Sequence, residues 1–537
     1  MTAATGGGRP RVLVCDPIAD DGVELLRQAA DVDVHTGQTP DELLARIGDY
    51  DALVVRSETK VNAEQLAAAR RLRVIGRAGV GVDNIDVAAA TQHGVLVVNA
   101  PTGNTIAAAE HTIAMMLALA RHIPQANRSL LEGKWDRKSF LGFEVRGKVL
   151  GVIGLGAIGG EVAKRAQGLE MDVVAYDPVV SRERAELINV ELLDDVDDLC
   201  ARADVITVHV PLIPATRHLF NAERLAKCKP GVRVLNVARG GIYDEVALLA
   251  ALESGAVAGA ALDVFEQEPP GDSALVRHPR VVATPHLGAS TEEAQLGVAS
   301  DVAEQIAAIL GGAPARWAVN APAVMPEEMQ AIKPYLALAE KLGSLYAQAG
   351  HGGARLLELE YTGELSRHDV SYLTAEVIKG MLAPFTEERI NVVNARVVAE
   401  RRGIEVVEQR HSSGAHRVSE YPDLLTVRAS GAGETFTAAA TVLPQGPRIV
   451  RLNGFVIDLT PEGRFLLTYH DDRPGVIGRV GTILGEAGIN IASLHLGRDT
   501  PRGRAVMIVQ VDEAVADDVT QRLRAVEGMT ELRYVEL

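Results

Sequence analysis

Three polar side chains that follow short apolar runs could together transfer a proton beside a bound carboxylate. They are Arg239, Glu268 and His286, and each stands within a few residues of the end of a strand-like run. An arginine can hold a carboxylate through two parallel hydrogen bonds and polarise the carbonyl next to it. A histidine can move a hydroxyl proton, and a carboxylate on its second ring nitrogen fixes its tautomer. A lone histidine after a strand is more often structural, so the prediction depends on the three occurring together.

A glycine-rich turn indicates which cofactor takes part in that chemistry. Gly154, Gly156 and Gly159 have the spacing GxGxxG between a strand-like run and a helical segment, and the next apolar run ends at Asp177. These glycines permit a tight turn, close approach of a pyrophosphate and close packing of helix on strand, with helix N–H groups facing the phosphates. Asp177 can accept hydrogen bonds from ribose hydroxyls and repels a 2′-phosphate, so the pattern predicts NAD. With the residues above, it predicts hydride transfer at a hydroxy acid.

Two arginines earlier in the chain indicate an anion site. Arg56 and Arg77 each end a strand-like run, and the glycine-containing turn 78–81 follows the second. Carboxyl ends of parallel strands meet at one edge of a sheet, so both side chains should point to one rim. Guanidinium groups beside glycine N–H groups suit a phosphate or a carboxylate. Two ordinary surface arginines remain the alternative.

Parallel strands are needed to bring these side chains together. Apolar runs alternate with helical patterns, which predicts a small parallel α/β domain followed by a doubly wound sheet. A long helix from Ile106 to Arg121, capped at Asn104-Thr105, joins the two. A polar stretch, 121–143, follows that helix as a surface loop or an arm. The predicted strands are 11–16, 51–56, 73–77 and 95–99, then 149–153, 173–176, 204–210, 232–238, 259–263 and 281–284.

Composition excludes several classes of partner. The chain has 537 residues, too many for one core, and a formal net charge of −17, which argues against nucleic acid and anionic membrane. The cysteines, Cys15, Cys200 and Cys228, have no metal-ligand spacing and fit a reducing compartment. The longest apolar stretch, 112–120, is too short to span a bilayer. Residues 1–10 have no apolar core, so we expect a flexible tail there rather than a signal peptide. We therefore expect a cytoplasmic protein without a metal, a nucleic-acid partner or a membrane partner.

These motifs together resemble the D-isomer-specific 2-hydroxyacid dehydrogenases over nearly the whole chain. The resemblance implies that Arg239 binds the substrate, His286 is the acid/base and Glu268 is its partner. It also implies that Asp263 contacts the carboxamide side of the nicotinamide. The full set of cofactor residues that it implies is Val80, Gly154, Gly156, Ala157, Ile158, Gly159, Asp177, Val210, Ala238, Arg239, Asp263, His286 and Gly288.

Within that family the chain is similar to the long-form members that oxidise 3-phospho-D-glycerate, the first step of L-serine biosynthesis. The similarity implies a substrate set in which Arg56 and Arg77 hold the phosphate, Asn104 lies near the carboxylate, and Gly79 and Arg239 complete the site. It also implies an arm, Trp135 to Lys138, that reaches a neighbouring subunit with Arg137 or Lys138. Two alternatives stay open: a dehydrogenase of another D-2-hydroxy acid such as 2-hydroxyglutarate, and a catalytically silent NAD-sensing binding protein.

The same resemblance implies four domains. A discontinuous substrate lobe, 9–104 and 287–320, faces an NAD-binding domain, 105–286, over a cleft that closes on the substrate. An intervening α/β regulatory domain, 321–456, precedes an ACT domain, 463–537. In the intervening region we predict helices at 332–348 and 370–382 and strands at 355–361, 424–428, 435–442 and 449–459. His411 and His416, with Arg410 and Arg417, could hold an anion there, although a solvated loop is favoured.

The last segment has the order βαββαβ, typical of a ferredoxin-like sandwich. Its turn 471–475 and the segment 488–492 resemble small-molecule-binding ACT domains. The resemblance implies that His470, Asp472 and Asn490 hold an amino acid effector, L-serine, between paired domains. A homo-oligomer, either a dimer or a tetramer, would follow. A purely structural dimerisation module is the alternative.

Overall fold

The computed structural model describes residues 8–322, 324, 326–350, 353–411, 421–431, 433 and 435–537. These residues form two all-parallel sheets, a mixed sheet and an antiparallel sheet with βαββαβ order. The predicted fold class is therefore confirmed. His416 and Arg417, considered above as anion ligands, lie outside the described residues.

The first lobe is a five-stranded parallel sheet with the order β2-β1-β3-β4-β5. Its strands bury apolar side chains on both faces, as a sheet covered on both sides requires. Its elements are β1 (Arg11–Val14), α1 (Asp20–Ala29), β2 (Asp31–Val34), α2 (Pro40–Arg46), β3 (Ala52–Val55), α3 (Ala63–Ala68), β4 (Val74–Arg77), α4 (Val87–Gln92) and β5 (Leu96–Asn99).

The second lobe is a seven-stranded parallel sheet with the order β12-β11-β10-β9-β6-β7-β8. Strand order reverses at β6, which opens a crevice at its carboxyl end, between β7 and β9. The glycine-rich turn follows that strand. The elements are α5 (Thr105–Ala120), α6 (Ile123–Leu131), β6 (Val149–Ile153), α7 (Ala157–Gly168), β7 (Asp172–Tyr176), α8 (Arg182–Glu186), β8 (Glu191–Leu193), α9 (Val196–Arg202), β9 (Val205–Val208), α10 (Ala222–Lys227), β10 (Val232–Asn236), α11 (Glu245–Ser254), β11 (Val257–Leu262), α12 (Ala274–Arg277) and β12 (Val281–Ala283).

Part of the stretch predicted as a surface loop or an arm is helical. α6 takes up nine residues of it, with Pro124 in the first turn, where the missing N–H is harmless. Its apolar residues recur at helical spacing, so the polar composition of the stretch concealed an amphipathic helix.

A long helix returns from the second lobe to the first. In α13 (Glu292–Leu310), Val302 and Ile306 are buried among side chains of the first sheet. A Cβ added at Gly22 of α1 would lie 2.9 Å from the carbonyl oxygen of Ala299, so the two helices are in backbone contact. The core of the first lobe therefore combines two separate stretches of sequence.

The third region packs helices on a six-stranded mixed sheet with the order β14-β13-β15-β16-β17-β18. Only β13 and β14 run parallel to each other within this sheet. Its elements are α14 (Pro326–Ala349), β13 (Ala354–Thr362), α15 (Ser371–Leu382), α16 (Ala395–Arg401), β14 (Glu405–His411), β15 (Leu424–Gly431), β16 (Phe436–Leu443), β17 (Gly446–Leu452) and β18 (Phe455–Leu459).

The single strand predicted at 449–459 is wrong, because that segment is a hairpin of β17 and β18. Asn453 and Gly454 form its turn, with φ of 46° and 87°. An Asn-Gly pair with both φ angles positive is typical of a tight hairpin turn between twisted strands. The sequence carried this signal, and the apolar alternation on either side obscured it. α16 and β14 were not predicted.

The last region is an antiparallel sheet, β20-β21-β19-β22, with two helices on one face. Leu466, Val480 and Leu523 belong to the core between sheet and helices. On the other face Phe465 and Val535 join the large core of the third region. Its elements are β19 (Arg464–Asp471), α17 (Val476–Glu486), β20 (Ile491–Arg498), β21 (Arg504–Val511), α18 (Asp517–Arg524) and β22 (Met529–Glu536). Throughout the described ranges, every helix is too short or too polar to cross a bilayer.

Candidate active site

A histidine and a glutamate meet at the carboxyl edge of the second sheet. Nδ1 of His286, just after β12, lies 2.8 Å from Oε2 of Glu268, in the loop after β11. The other glutamate oxygen accepts a hydrogen bond from the N–H of Phe265 at 3.1 Å. Both side chains are partly exposed, so the free edge of the imidazole can reach a ligand in the cleft.

The carboxylate of this pair is ionised at neutral pH. Burial alone would raise the pKa of Glu268, but the hydrogen bond and charge of His286, with the Phe265 N–H, outweigh burial and lower it. A lowered carboxyl pKa adds stability above the pH at which the unfolded group titrates. That contribution is lost as the pH falls through the folded-state pKa. The pair is therefore intact in the neutral range.

The backbone at His286 has an uncommon conformation that a buried carboxylate supports. His286 has φ of 55°, which few non-glycine residues adopt and which often marks a functional site. Its N–H donates to the carbonyl of Asp263 at 2.8 Å. The Asp263 carboxylate is 1% exposed and accepts from the N–H groups of Leu287 and Gly288 at 2.7 and 2.8 Å. Asp263 therefore fixes the turn that presents the histidine.

Two further groups bind the same carboxylate. Thr284 donates its hydroxyl to Asp263 at 2.6 Å, and Nε2 of His111 in α5 lies 3.2 Å from it. Burial on its own would raise the pKa of Asp263, but these hydrogen bonds and the Leu287 N–H lower it. No role was assigned to His111 from the sequence, so this contact was not predicted. The sequence showed only that His111 lies within a helical pattern. No neighbouring residue indicated a partner at the end of a strand far along the chain.

Arg239 extends from the second lobe to the first. Its Nε donates to Oδ2 of Asp83 at 2.9 Å, and one terminal nitrogen donates to the carbonyl of Ala238 at 2.6 Å. A Cβ at Gly81 would overlap its other terminal nitrogen, so the guanidinium lies directly over that glycine. Asn236 shapes the turn by donating to the Arg239 carbonyl at 2.8 Å. Sequence reasoning named neither Asp83 nor Asn236.

Three arginines share this cleft. Arg77 is mostly buried at the end of β4, and its Nε has no hydrogen-bond partner among the described residues. Burial first, and then repulsion from Arg239 and Arg56, lower the pKa of Arg77 to about 10. Its guanidinium also fills the space that a Cβ at Gly79 would need. The structure thus gathers three of the predicted substrate residues around one positive region.

The sequence predicted that the Asn104 side chain caps α5, and it does not. α5 begins at Thr105, but the Asn104 side chain makes no capping hydrogen bond, and its Oδ1 is buried without a partner in the described part of the chain. A buried unpaired acceptor is uncommon in native structures. It is therefore available to a ligand.

The glycine turn after β6 has the geometry of a dinucleotide cradle. Gly154 has φ of 90°, and a Cβ there would lie 2.7 Å from the His209 carbonyl. A Cβ at Gly159 would overlap the Gly154 carbonyl, whereas one at Gly156 would meet nothing. The first and third glycines are therefore required by the fold. The second leaves open space at the start of α7, beside Ala157 and Ile158, for a phosphate to approach helix N–H groups.

Asp177 follows β7 and faces this turn. Its Oδ2 accepts from the N–H of Leu155 at 2.8 Å, and its Oδ1 accepts from Val179 at 2.8 Å. The carboxylate is therefore held against the phosphate-binding loop, where a ribose would lie. The other residues expected around a dinucleotide stand at neighbouring strand ends: Val80 after β4, Val210 after β9, Ala238 after β10 and Gly288 after β12.

Asp177→Ser should shift cofactor selectivity toward NADP. It removes a negative charge that opposes a 2′-phosphate, and like charges brought together cost several kcal/mol. We expect the ratio of kcat/KM for NADPH to that for NADH to rise by about tenfold to a hundredfold. Asp172→Asn, an exposed change at the start of the same strand, is the control. A ratio equal to that of the unchanged protein would remove Asp177 from the cofactor site.

Glu268→Gln should change how the reaction rate depends on pH. The change removes the negative charge 2.8 Å from the imidazole of His286, and that charge favours the protonated ring. We expect the pH profile for oxoacid reduction to differ from that of the unchanged protein, with its optimum at lower pH. Glu266→Gln alters the same loop without touching His286 and should leave the optimum in place. Identical profiles for all three proteins would contradict the pairing.

The predicted effector residues do not meet within one chain. Ile491 pairs with Val511 and Val511 with Arg464, so Asn490 stands near the start of β19, whereas His470 stands near its end. At about 3.4 Å per residue the two ends are roughly 20 Å apart. The Asn490 amide donates to Asp512 at 2.6 Å instead.

His470 and Asp472 share the other end of that sheet. His470 is buried with an unpaired Nδ1 among the described residues, and burial lowers its pKa. The Arg502 N–H, followed by Arg498, lowers the pKa of Asp472. The predicted arm is exposed: Trp135 is 81% exposed, and Arg137 and Lys138 are exposed beside it.

Two doubly wound lobes, a dinucleotide cradle and an Arg–Glu–His set define the class of NAD-linked 2-hydroxyacid dehydrogenases. Family models agree: residues 113–288 match the D-isomer specific 2-hydroxyacid dehydrogenase NAD binding domain. Residues 331–453 match the D-3-phosphoglycerate dehydrogenase intervening domain, and residues 464–528 match the ACT domain.

Whole-chain relatives are more specific. The chain is 47% identical to D-3-phosphoglycerate dehydrogenase of Synechocystis over 98% of its length and 95% of the relative's. It is 46% identical to that of Archaeoglobus fulgidus over 98% and 100%. A solved structure, TT0316 protein from Thermus thermophilus, superposes with a TM-score of 0.54 at 35% identity, covering 57% of this chain and 99% of that one. The chain belongs to the D-3-phosphoglycerate dehydrogenase family, and the resemblance inferred from its motifs is confirmed.

Proposed function

We propose that this chain oxidises 3-phospho-D-glycerate to 3-phosphohydroxypyruvate with NAD, and that it catalyses the reverse reaction. The observation that carries the proposal is the meeting of Arg56 and Arg77 from one lobe with Arg239 from the other, where the loops after β10, β11 and β12 also bring Glu268 and His286. A substrate with an anion at each end of a hydroxyl-bearing carbon chain fits this arrangement. The relatives carry the name of that activity.

The roles follow from the contacts. Arg239 holds the substrate carboxylate and polarises the neighbouring C–O bond. Nδ1 of His286 donates to the Glu268 carboxylate, and Nε2 has no hydrogen-bond partner among the described residues. Nε2 can therefore take the hydroxyl proton during oxidation and return it during reduction. The glycine turn and Asp177 would hold NAD, which when bound would supply the hydride acceptor.

The first lobe supplies the phosphate site in this proposal. Arg77 carries a buried Nε–H group without a partner among the described residues, and a phosphate oxygen can accept a hydrogen bond from it. Leaving a buried polar group unsatisfied costs about 1–3 kcal/mol, so an anion that pairs with this group would bind more tightly. Burial, followed by repulsion from Arg239 and Arg56, lowers the pKa of Arg77, and a bound dianion would offset that repulsion.

A rate measurement tests the proposal. We expect the purified chain to oxidise NADH rapidly with 3-phosphohydroxypyruvate and slowly with 2-oxoglutarate. Turnover with 2-oxoglutarate alone would assign a different 2-hydroxy acid. Binding of NADH without turnover on either acid would favour a cofactor-sensing protein.

We also propose that the chain forms a homo-oligomer that binds L-serine between paired C-terminal domains. The separation of His470 and Asn490 along β19 fits this arrangement, because one amino acid cannot contact both residues of a single chain. A second support is the exposed apolar surface of Leu131, Trp135 and Leu141, each more than four-fifths exposed.

Hybrids of two variants test this arrangement. His470→Ala and Asn490→Ala should each abolish inhibition by millimolar L-serine. Each hybrid dimer contains one site with both residues native, so we expect mixed and reassembled chains to recover serine inhibition in part. Hybrids as insensitive as the single variants would show that the two residues do not share a site.

A further inference from the structure

Asp83 holds the arginine that the proposed mechanism needs for the substrate. Its carboxylate accepts a hydrogen bond from Nε of Arg239 at 2.9 Å across the two lobes. A guanidinium binds a carboxylate best through two adjacent N–H groups. Nε of Arg239 donates to Asp83, and one terminal nitrogen donates to the Ala238 carbonyl. Each pair of adjacent N–H groups on the guanidinium therefore contains one group that already has an acceptor.

The carboxylate of Asp83 is dispensable for its own loop. Asn84 ties that loop down by donating to the carbonyls of Arg56 and Thr59 at 2.7 and 2.6 Å, and Asp86 caps α4 through the N–H of Ala89 at 2.9 Å. Within the described residues, the one hydrogen bond or ion pair of the Asp83 side chain is the one to Arg239.

Asp83 lies where a substrate carboxylate could replace it on Arg239. Its side chain is 63% exposed, against 26% for Arg239, so it can swing into solvent while the arginine stays in the cleft. It is also a negative group among Arg56, Arg77 and Arg239, and it opposes the effect of the other two arginines on Arg77. A substrate carboxylate is the same chemical group and would take over the same contact.

We infer that Asp83 is a resident competitor that occupies Arg239 in the substrate-free protein and is displaced by the carboxylate of the 2-hydroxy or 2-oxo acid. Asp83 is thus a specificity-determining residue, not a catalytic one. It sets how much binding free energy an acid must supply to enter. The inference rests on the proposed function only in assigning the substrate carboxylate to Arg239.

Asp83→Asn and Asp83→Ala test it, with oxalate as a probe. Oxalate carries a carboxylate beside a second carboxylate that imitates the keto carbonyl of a 2-oxo acid, and its binding needs no turnover. With NADH bound, we expect both variants to bind oxalate about three- to fivefold more tightly in a calorimetric titration, the scale of an exposed ion pair. KM for 3-phosphohydroxypyruvate should fall by a similar factor, with a smaller change in kcat.

Glu58→Gln removes a negative charge from an exposed position of the same lobe, two residues from Arg56, and controls for net charge. It should change oxalate binding less than either Asp83 variant. Unchanged or weaker oxalate binding by the Asp83 variants would overturn the inference and make Asp83 an orienting group for Arg239. Absence of turnover with 3-phosphohydroxypyruvate would count against the proposed function alone, because the oxalate titration still decides the role of Asp83.

Discussion

His286→Ala is expected to lower kcat by at least about a hundredfold in both directions while NADH still binds. The site holds this imidazole in place through the Glu268 carboxylate and through the backbone turn that the His286 N–H makes with Asp263. Without it, the hydroxyl proton of the substrate has no positioned acceptor. Steady-state rates with a fluorescence titration of NADH measure the two effects separately.

A double-mutant cycle with Glu268 sharpens this prediction. If Glu268 acts through His286, then Glu268→Gln should have little further effect once His286 is alanine. Full additivity of the two losses would show that the glutamate acts independently. An unchanged kcat in His286→Ala would remove the histidine from the mechanism.

Arg239→Gln should lower kcat/KM by about thirtyfold to a few thousandfold, and Arg239→Lys should recover only part of that loss. A lysine keeps the charge but cannot form the two parallel hydrogen bonds of a guanidinium. Truncating one partner of a desolvated charge pair costs about 2–5 kcal/mol, which sets this scale. Initial rates over a range of substrate concentrations measure it.

The two changes at Arg239 also separate charge from geometry. Equal activity of the lysine variant and the unchanged protein would mean that a point charge suffices. The bidentate role would then be wrong. Equal loss in both variants would mean that geometry carries the whole effect.

Much of the fold was predictable, because local periodicity determines it. The helix predicted from Ile106 to Arg121 is observed at Thr105–Ala120. The strand that ends at Arg77 and the strand that precedes Asp177 each end within one residue of the predicted end. Buried parallel strands and amphipathic helices carry their signal in neighbouring residues. The hairpin at Asn453 and the helix α6 were missed because alternation or polar composition hid a turn and an apolar face.

Residues of the site were predictable only where type and local position were informative. Arg239, Glu268 and His286 stood out as polar groups after apolar runs. Asp83 and His111 did not, because their partners are distant in sequence and come close only when the lobes fold. His209 shows the reverse difficulty: it also follows a strand, but burial lowers its pKa to about 4, so it stays neutral. Sequence alone could not separate it from His286.

The central claim is that anion-binding arginines of one lobe and the acid/base pair of the other act on a single molecule. The most direct test compares kcat/KM for 3-phosphohydroxypyruvate and for hydroxypyruvate, in the unchanged protein and in Arg77→Gln. The account predicts a preference for the phosphorylated acid of about a hundredfold or more, most of which disappears in Arg77→Gln. Equal kcat/KM for the two acids in the unchanged protein would contradict it.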